Sequence, residues 1–160
     1  MKKLKVTLSD GKDYTFGTFS ILEQQALKKR FKDYMKTEEE QNKIRFEYDN
    51  ENKVFKKDAE GNLKPRVVDD ESEKKLEEYE EKSIVFMIDI VRKSICKFHP
   101  EFKKKENKEE DNLVVEQLKD MFDLSDLRDI TFFAFNGIYV EKELVIDVTL
   151  SKDPTNETAK

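Results

Sequence analysis

The sequence predicts a mainly α protein with a small β element (α+β), an N-terminal β-hairpin packed on a helical bundle. Three observations lead there. Leu4, Val6 and Leu8 alternate with polar residues before Asp10-Gly11, and Tyr14 and Phe16 alternate after it, which is a hairpin pattern. Acid–lysine pairs four residues apart fill 69–82 and run directly into the apolar stretch 84–91, which marks a long helix with a solvated start. Between 112 and 137, apolar residues recur at helical spacing among capping residues and end at Gly137.

The chain has 160 residues, near the size of one domain. Apolar residues make up 36% and charged residues 42%, against a usual ~45–50% and ~25%, so a core forms only where the apolar residues concentrate. One helical domain with its N-terminal hairpin is expected over 1–137.

In the hairpin, a three-residue loop Ser9-Asp10-Gly11 with Gly11 left-handed pairs Val6 with Tyr14 and Leu4 with Phe16. A two-residue loop puts the two apolar sets on different faces. Ser20 and Glu23 then form a capping box ahead of a helix from about Ile21 to Met35. Its core face carries Ala26, Leu27, Phe31, Tyr34 and Met35, with Lys28, Lys29, Lys32 and Asp33 opposite.

Residues 37–68 form either an insertion or a short β-meander: Ile44, Phe46 and Tyr48 alternate, turn residues are frequent, and Pro65 breaks any continuous helix. The next helix runs to His99, which precedes Pro100. Ile84, Met87, Ile88, Val91, Ile95 and Phe98 make one stripe, and Phe86 and Ile90 a second. A helix apolar over so much of its circumference needs cover on two sides, from the domain or from a partner, and self-association into a homo-oligomer follows as one option.

Asn112 is read as the cap of a short helix to about Phe122, and Ser125 as the cap of a last one with Leu127, Ile130, Phe133 and Ala134 on its core face. Beyond Gly137, Leu144, Ile146, Val148 and Leu150 alternate as a C-terminal strand within 138–150, and 151–160 reads as a disordered tail.

The charge is −5, the difference of 31 basic and 36 acidic side chains interleaved along the chain, which argues against a nucleic-acid surface. No apolar run approaches the ~18 residues of a membrane span, and no apolar stretch follows the basic N-terminus, so a cytoplasmic protein off the membrane is expected. One cysteine and one histidine cannot supply a structural zinc site, and no phosphate-loop, dinucleotide, calcium-loop or zinc-protease motif occurs. No catalytic, cofactor-binding or metal-binding residues are therefore assigned. Cys96 and His99 have helical spacing, but nothing around them suggests an orienting acid or an oxyanion hole, and Cys96 reads as a buried small thiol.

The order of parts is informative. The hairpin around Ser9-Asp10-Gly11-Lys12, the capped helix, Ile84 to Phe98 before His99-Pro100, an acidic loop, and Val115-Glu116-Gln117-Leu118 running into Asp123-Leu124-Ser125-Asp126-Leu127 together resemble the tail assembly chaperones of siphophages of Gram-positive bacteria, in their short form. The resemblance covers roughly 1–35 and 83–137. The 37–68 segment departs from that family's compact helical pattern.

The resemblance implies a non-catalytic protein of the host cytoplasm that binds the tape measure protein, keeps it soluble, promotes tail tube assembly, and is absent from the mature virion. It also implies contact with the tail tube protein through a longer, frameshifted form. Such a role needs apolar strips set among charges, and the candidate partner-binding residues are Phe86, Ile90, Phe132, Phe135, Ile138 and Tyr139. Phe132 and Phe135 are the preferred exposed pair, since they lie to either side of the Ile130–Phe133–Ala134 stripe. The alternative is a small phage or bacterial regulatory protein that binds nucleic acid or a host protein.

Overall fold

Residues Lys3–Thr7 (β1) and Asp13–Gly17 (β2) form the predicted hairpin, with Leu4 opposite Phe16 and Val6 opposite Tyr14. Leu8 N–H donates to the Lys12 carbonyl at 2.9 Å across a three-residue loop, and Gly11 takes φ +86°, a left-handed conformation that glycine adopts without a Cβ clash. The structure, a computed structural model, describes residues 1–139 and the strand 147–151.

The remaining elements are α1 (Ile21–Arg45), β3 (Tyr48–Asp49), β4 (Val54–Phe55), α2 (Asp70–Ile95), a 3-10 turn (Pro100–Phe102), α3 (Lys108–Met121), α4 (Leu124–Asn136) and β5 (Asp147–Ser151). The protein is thus mainly helical with a small β element. Strand β5 runs antiparallel to β1, Leu150 in register with Leu4 and Val148 with Val6, so the sheet order is β2-β1-β5. Ser151, expected in the tail, belongs to this strand. Residues 140–146 of the expected C-terminal strand and 152–160 of the expected tail lie outside the described residues.

By their contacts the residues group into two compact units. The first comprises Met1–Leu27 and the described residues from Met87 onward. Its core contains Leu4, Val6, Phe16, Met87, Val91, Ile95, Leu118, Ile130 and Phe133, all fully buried. The Phe16 and Phe122 rings meet edge to face at 5.7 Å. Buried Ser94 donates from Oγ to the Gly17 carbonyl at 2.7 Å, tying α2 to β2. Buried Arg92 holds the connection into α3: Nε donates to Phe102 O at 2.7 Å, and Nη2 to Lys103 O at 3.0 Å and to Asp111 Oδ1 at 2.5 Å. The Lys105 N–H also donates to Asp111. Those two donors, Arg92 first, hold the Asp111 carboxyl below its usual 3.8.

The second unit, Lys28–Phe86, is an antiparallel pair of helical segments joined by a short β-meander. Tyr34 stacks on Phe86 at 4.8 Å, Gln41 Nε2 donates to Ser83 Oγ at 2.8 Å, and Arg45 pairs with Glu80. Tyr48 and Phe55 pack edge to face across β3–β4, and isolated bridges Phe46–Pro65 and Lys57–Leu63 extend the ladder. Of the two readings of 37–68, the meander describes 46–65.

Several boundaries differ from expectation. Helix α1 runs to Arg45 rather than Met35 because its last turns are held by polar contacts, Gln41 to Ser83 and Arg45 to Glu80, which apolar periodicity does not register. Ile44 is therefore helical, and Ala26 and Met35 are exposed. Helix α2 ends at Ile95, not His99, after which the His99 N–H bonds back to Ile95 O. The caps shift to nearby competitors: Asn107 Oδ1 accepts from Glu110 N–H at 3.1 Å to start α3. For α4, Asp123 rather than Ser125 caps, in a reciprocal box with Asp126. The Ser20–Glu23 box forms as expected, at 3.0 and 3.2 Å.

Candidate protein-binding surface

The end of α4 is built by its caps. Leu127, Ile130, Phe133 and Ala134 turn inward and are buried, which sends Phe132 outward. The helix closes at Gly137, where φ is +69° and the N–H donates to Phe133 O at 2.7 Å, a left-handed cap that throws the chain outward at Ile138. Phe132 is 49% exposed and Ile138 56%.

The start of α1 is fixed beside this helix end. Phe19 N–H donates to Ala134 O at 2.8 Å, and the Phe19 ring meets Phe135 edge to face at 5.3 Å. Two residues on, the Ser20–Glu23 box places Ile21 and Leu22 in the first helical turn, each 77% exposed. Ile21 and Leu22 follow Phe19 by two and three residues, and Phe132 and Ile138 each stand three residues from Phe135, so four exposed apolar side chains lie close in sequence to the Phe19–Phe135 contact. Leaving each such side chain in water forgoes about 1.5–3 kcal/mol of burial. Scattered exposed apolar residues are ordinary, whereas several at one junction mark an interaction surface.

The other candidates separate. Phe135 and Tyr139 are half-buried. Burial, then the negative charges of Asp129, Asp126 and Asp123, push the Tyr139 phenol up to about 12. Phe86 and Ile90, expected to face a partner, are 6% and 0% exposed. Phe86 packs between Tyr34 and Phe31, with the Arg30 guanidinium over its ring. The second stripe of α2 is covered from within the chain, and neither residue lines a surface.

A cleft of about 490 Å³ lies in the same unit between the β1–β2 turn and α3 with the start of α4. Leu8, Leu113 and Met121 form apolar wall, while Asp10, Glu116, Asp120 and Asp126 supply carboxylates. Ser9 and Gln117 complete its lining.

Cys96 and His99 do not pair. His99 Nε2 accepts the Thr15 N–H at 2.8 Å and is engaged with the backbone of β2. Cys96 Sγ lies 3.4 Å from Lys93 O and is half-buried, more open than the buried thiol expected. Among the described residues no group of three or more His, Cys, Asp or Glu side chains could hold a metal ion, and no helix is long and apolar enough to cross a membrane.

Sequence reasoning missed Ile21 and Leu22. The signal was present: a capping box fixes them as the first two helical positions, where an acidic residue is favoured and an apolar one has little to pack on. Comparison of the chain with protein-family models, curated proteins and solved structures returns no match to any of them.

Proposed function

We propose that this chain is a non-catalytic assembly chaperone of the siphophage tail type. It binds the long helical tape measure protein, keeps it soluble and promotes assembly of the tail tube around it. It works in the host cytoplasm and is absent from the mature virion. The observation that carries this reading is the junction of α1 and α4, where Ile21, Leu22, Phe132 and Ile138 stay in water on a chain that is 42% charged.

The mechanism is reversible burial. The apolar stripes of an unassembled tape measure protein aggregate by the same force that folds a core. Covering part of a stripe with the junction removes apolar area from water on both partners, while the charged helices around it keep the complex dispersed. Contact with the tail tube protein is assigned to a longer, frameshifted form. The order of parts over 1–35 and 83–137 supports the same reading.

Co-expression tests it. A tape measure protein, sought in the gene neighbourhood of this chain, is expected to be soluble only when the chain is present, and to co-purify with it at high salt. Equal solubility with and without the chain contradicts the proposal.

A further inference from the structure

The two helical segments of the Lys28–Phe86 unit carry opposite charge on their outer faces. Inside, Tyr34 and Gln41 of α1 meet Phe86 and Ser83 of α2. On α1, residues 28–36 hold five cationic side chains and one carboxylate. Helical spacing puts Lys28, Lys29, Lys32 and Lys36 within one arc, diametrically away from Tyr34 and Gln41, with Asp33 at its border. All four lysines are exposed.

On α2, residues 70–81 hold seven carboxylates and two lysines. Asp70, Glu77, Glu78 and Glu81 share the arc opposite Ser83 and Phe86, interrupted by Lys74, and all four are exposed. Glu78, Glu81, Lys82 and Val85 border a surface depression of about 420 Å³, in which Val85 is 64% exposed. Among the described residues none of the four lysines and none of the four carboxylates forms an ion pair, while Lys43, Arg45 and Glu80 nearby do.

We infer that this unit is a self-association module, in which the lysine face of α1 in one copy docks on the carboxylate face of α2 in a second copy. Each face presents what the other needs. The α2 depression receives an apolar side chain, and the half-exposed Met35, at the edge of the lysine arc, supplies one. The two faces point to opposite sides of the helix pair, so a copy cannot satisfy both with one neighbour by a twofold. The contact is heterologous and head to tail, extending through successive copies. Exposed ion pairs are individually weak and are screened by salt, so the assembly is reversible and concentration-dependent. It does not depend on what the aromatic junction binds.

Sedimentation velocity on the full chain tests the inference with two charge-reversed variants, Lys28→Glu/Lys32→Glu/Lys36→Glu and Glu77→Lys/Glu78→Lys/Glu81→Lys. The wild type is expected to form larger species as concentration rises in low salt, and to dissociate in about 1 M salt, where screening acts within about 3 Å. Each variant alone is expected to be monomeric, and an equimolar mixture to regain assembly, because each then meets the opposite charge. Should a reversed variant lose its helical circular dichroism, the corresponding Lys→Gln or Glu→Gln triple replaces it and is expected to weaken association at least tenfold. A wild type that stays monomeric at all concentrations overturns the inference. So do variants that assemble like the wild type, a mixture that stays monomeric, and a wild type whose lysine face instead binds a nucleic-acid duplex without self-association.

Discussion

Phe86 and Phe132 each stand off the main apolar stripe of their helix, and each reads from sequence as a side chain left for a partner. Phe86 is enclosed by Tyr34, Phe31 and Arg30, whereas Phe132 remains half in water beside Asn136. The difference lies in the neighbours. Helix α2 meets Phe31 and Tyr34 of α1 at Phe86, so that side chain finds cover within the chain. Helix α4 is short and ends in a left-handed glycine cap, and its outer face has no helix among the described residues to cover it. A second apolar stripe therefore signals a binding surface only when the chain lacks another helix long enough to reach it.

The comparison breaks most sharply at Phe86. Phe86→Asp buries a charge among aromatic rings and is expected to cost more than about 4 kcal/mol, enough to unfold the chain in urea titrations. Ile90→Ala, one turn on, is expected to cost about 3 kcal/mol through the cavity it leaves. Arg92→Ala strips the charged donor from the buried Phe102 carbonyl, from the Lys103 carbonyl and from Asp111, and a loss of about 3 kcal/mol follows. Phe132→Asp, by contrast, is expected to shift stability by no more than about 0.5 kcal/mol, since that side chain already meets water. If Phe132→Asp destabilised as much as Phe86→Asp, the two positions would be alike and the contrast would vanish.

Acid sharpens the role of Arg92. A carboxylate that gives up its proton more readily in the folded state stabilises the fold above its unfolded value, and loses that contribution as pH falls through the folded one. Asp111 is such a group, depressed by Arg92 and then by Lys105 N–H. The urea midpoint of the wild type is expected to fall on acidification below about pH 4, and Arg92→Ala to flatten that fall. The smallest effect is spectroscopic. Tyr139 is expected to ionise near 12 rather than the usual 10.0, visible as late phenolate absorbance that Tyr139→Phe removes.

Much of the fold was legible because it rests on local chemistry. The hairpin register follows from alternation and one left-handed glycine, and the start of α1 from a capping box. Boundaries set by tertiary polar contacts were not legible: Gln41 and Arg45 carry α1 ten residues further by bonding to Ser83 and Glu80, which are distant in sequence. Caps misplaced by two to five residues reflect competition among equivalent Asn, Asp and Ser side chains. Of the pair read beside the Ile130–Phe133–Ala134 stripe, Phe132 is exposed as its place on the helix suggests, whereas Phe135 is half-buried against Phe19, a contact that helical spacing does not register. Phe86 and Ile90 were not legible as buried, because burial depends on what another helix brings opposite them.

The most direct measurement is a pull-down of the tape measure protein with Phe132→Asp/Ile138→Asp, set beside the wild type at equal thermal stability and high salt. Capture by the wild type and none by the double variant is the predicted result. Undiminished capture by the folded double variant contradicts a client site at the α1–α4 junction.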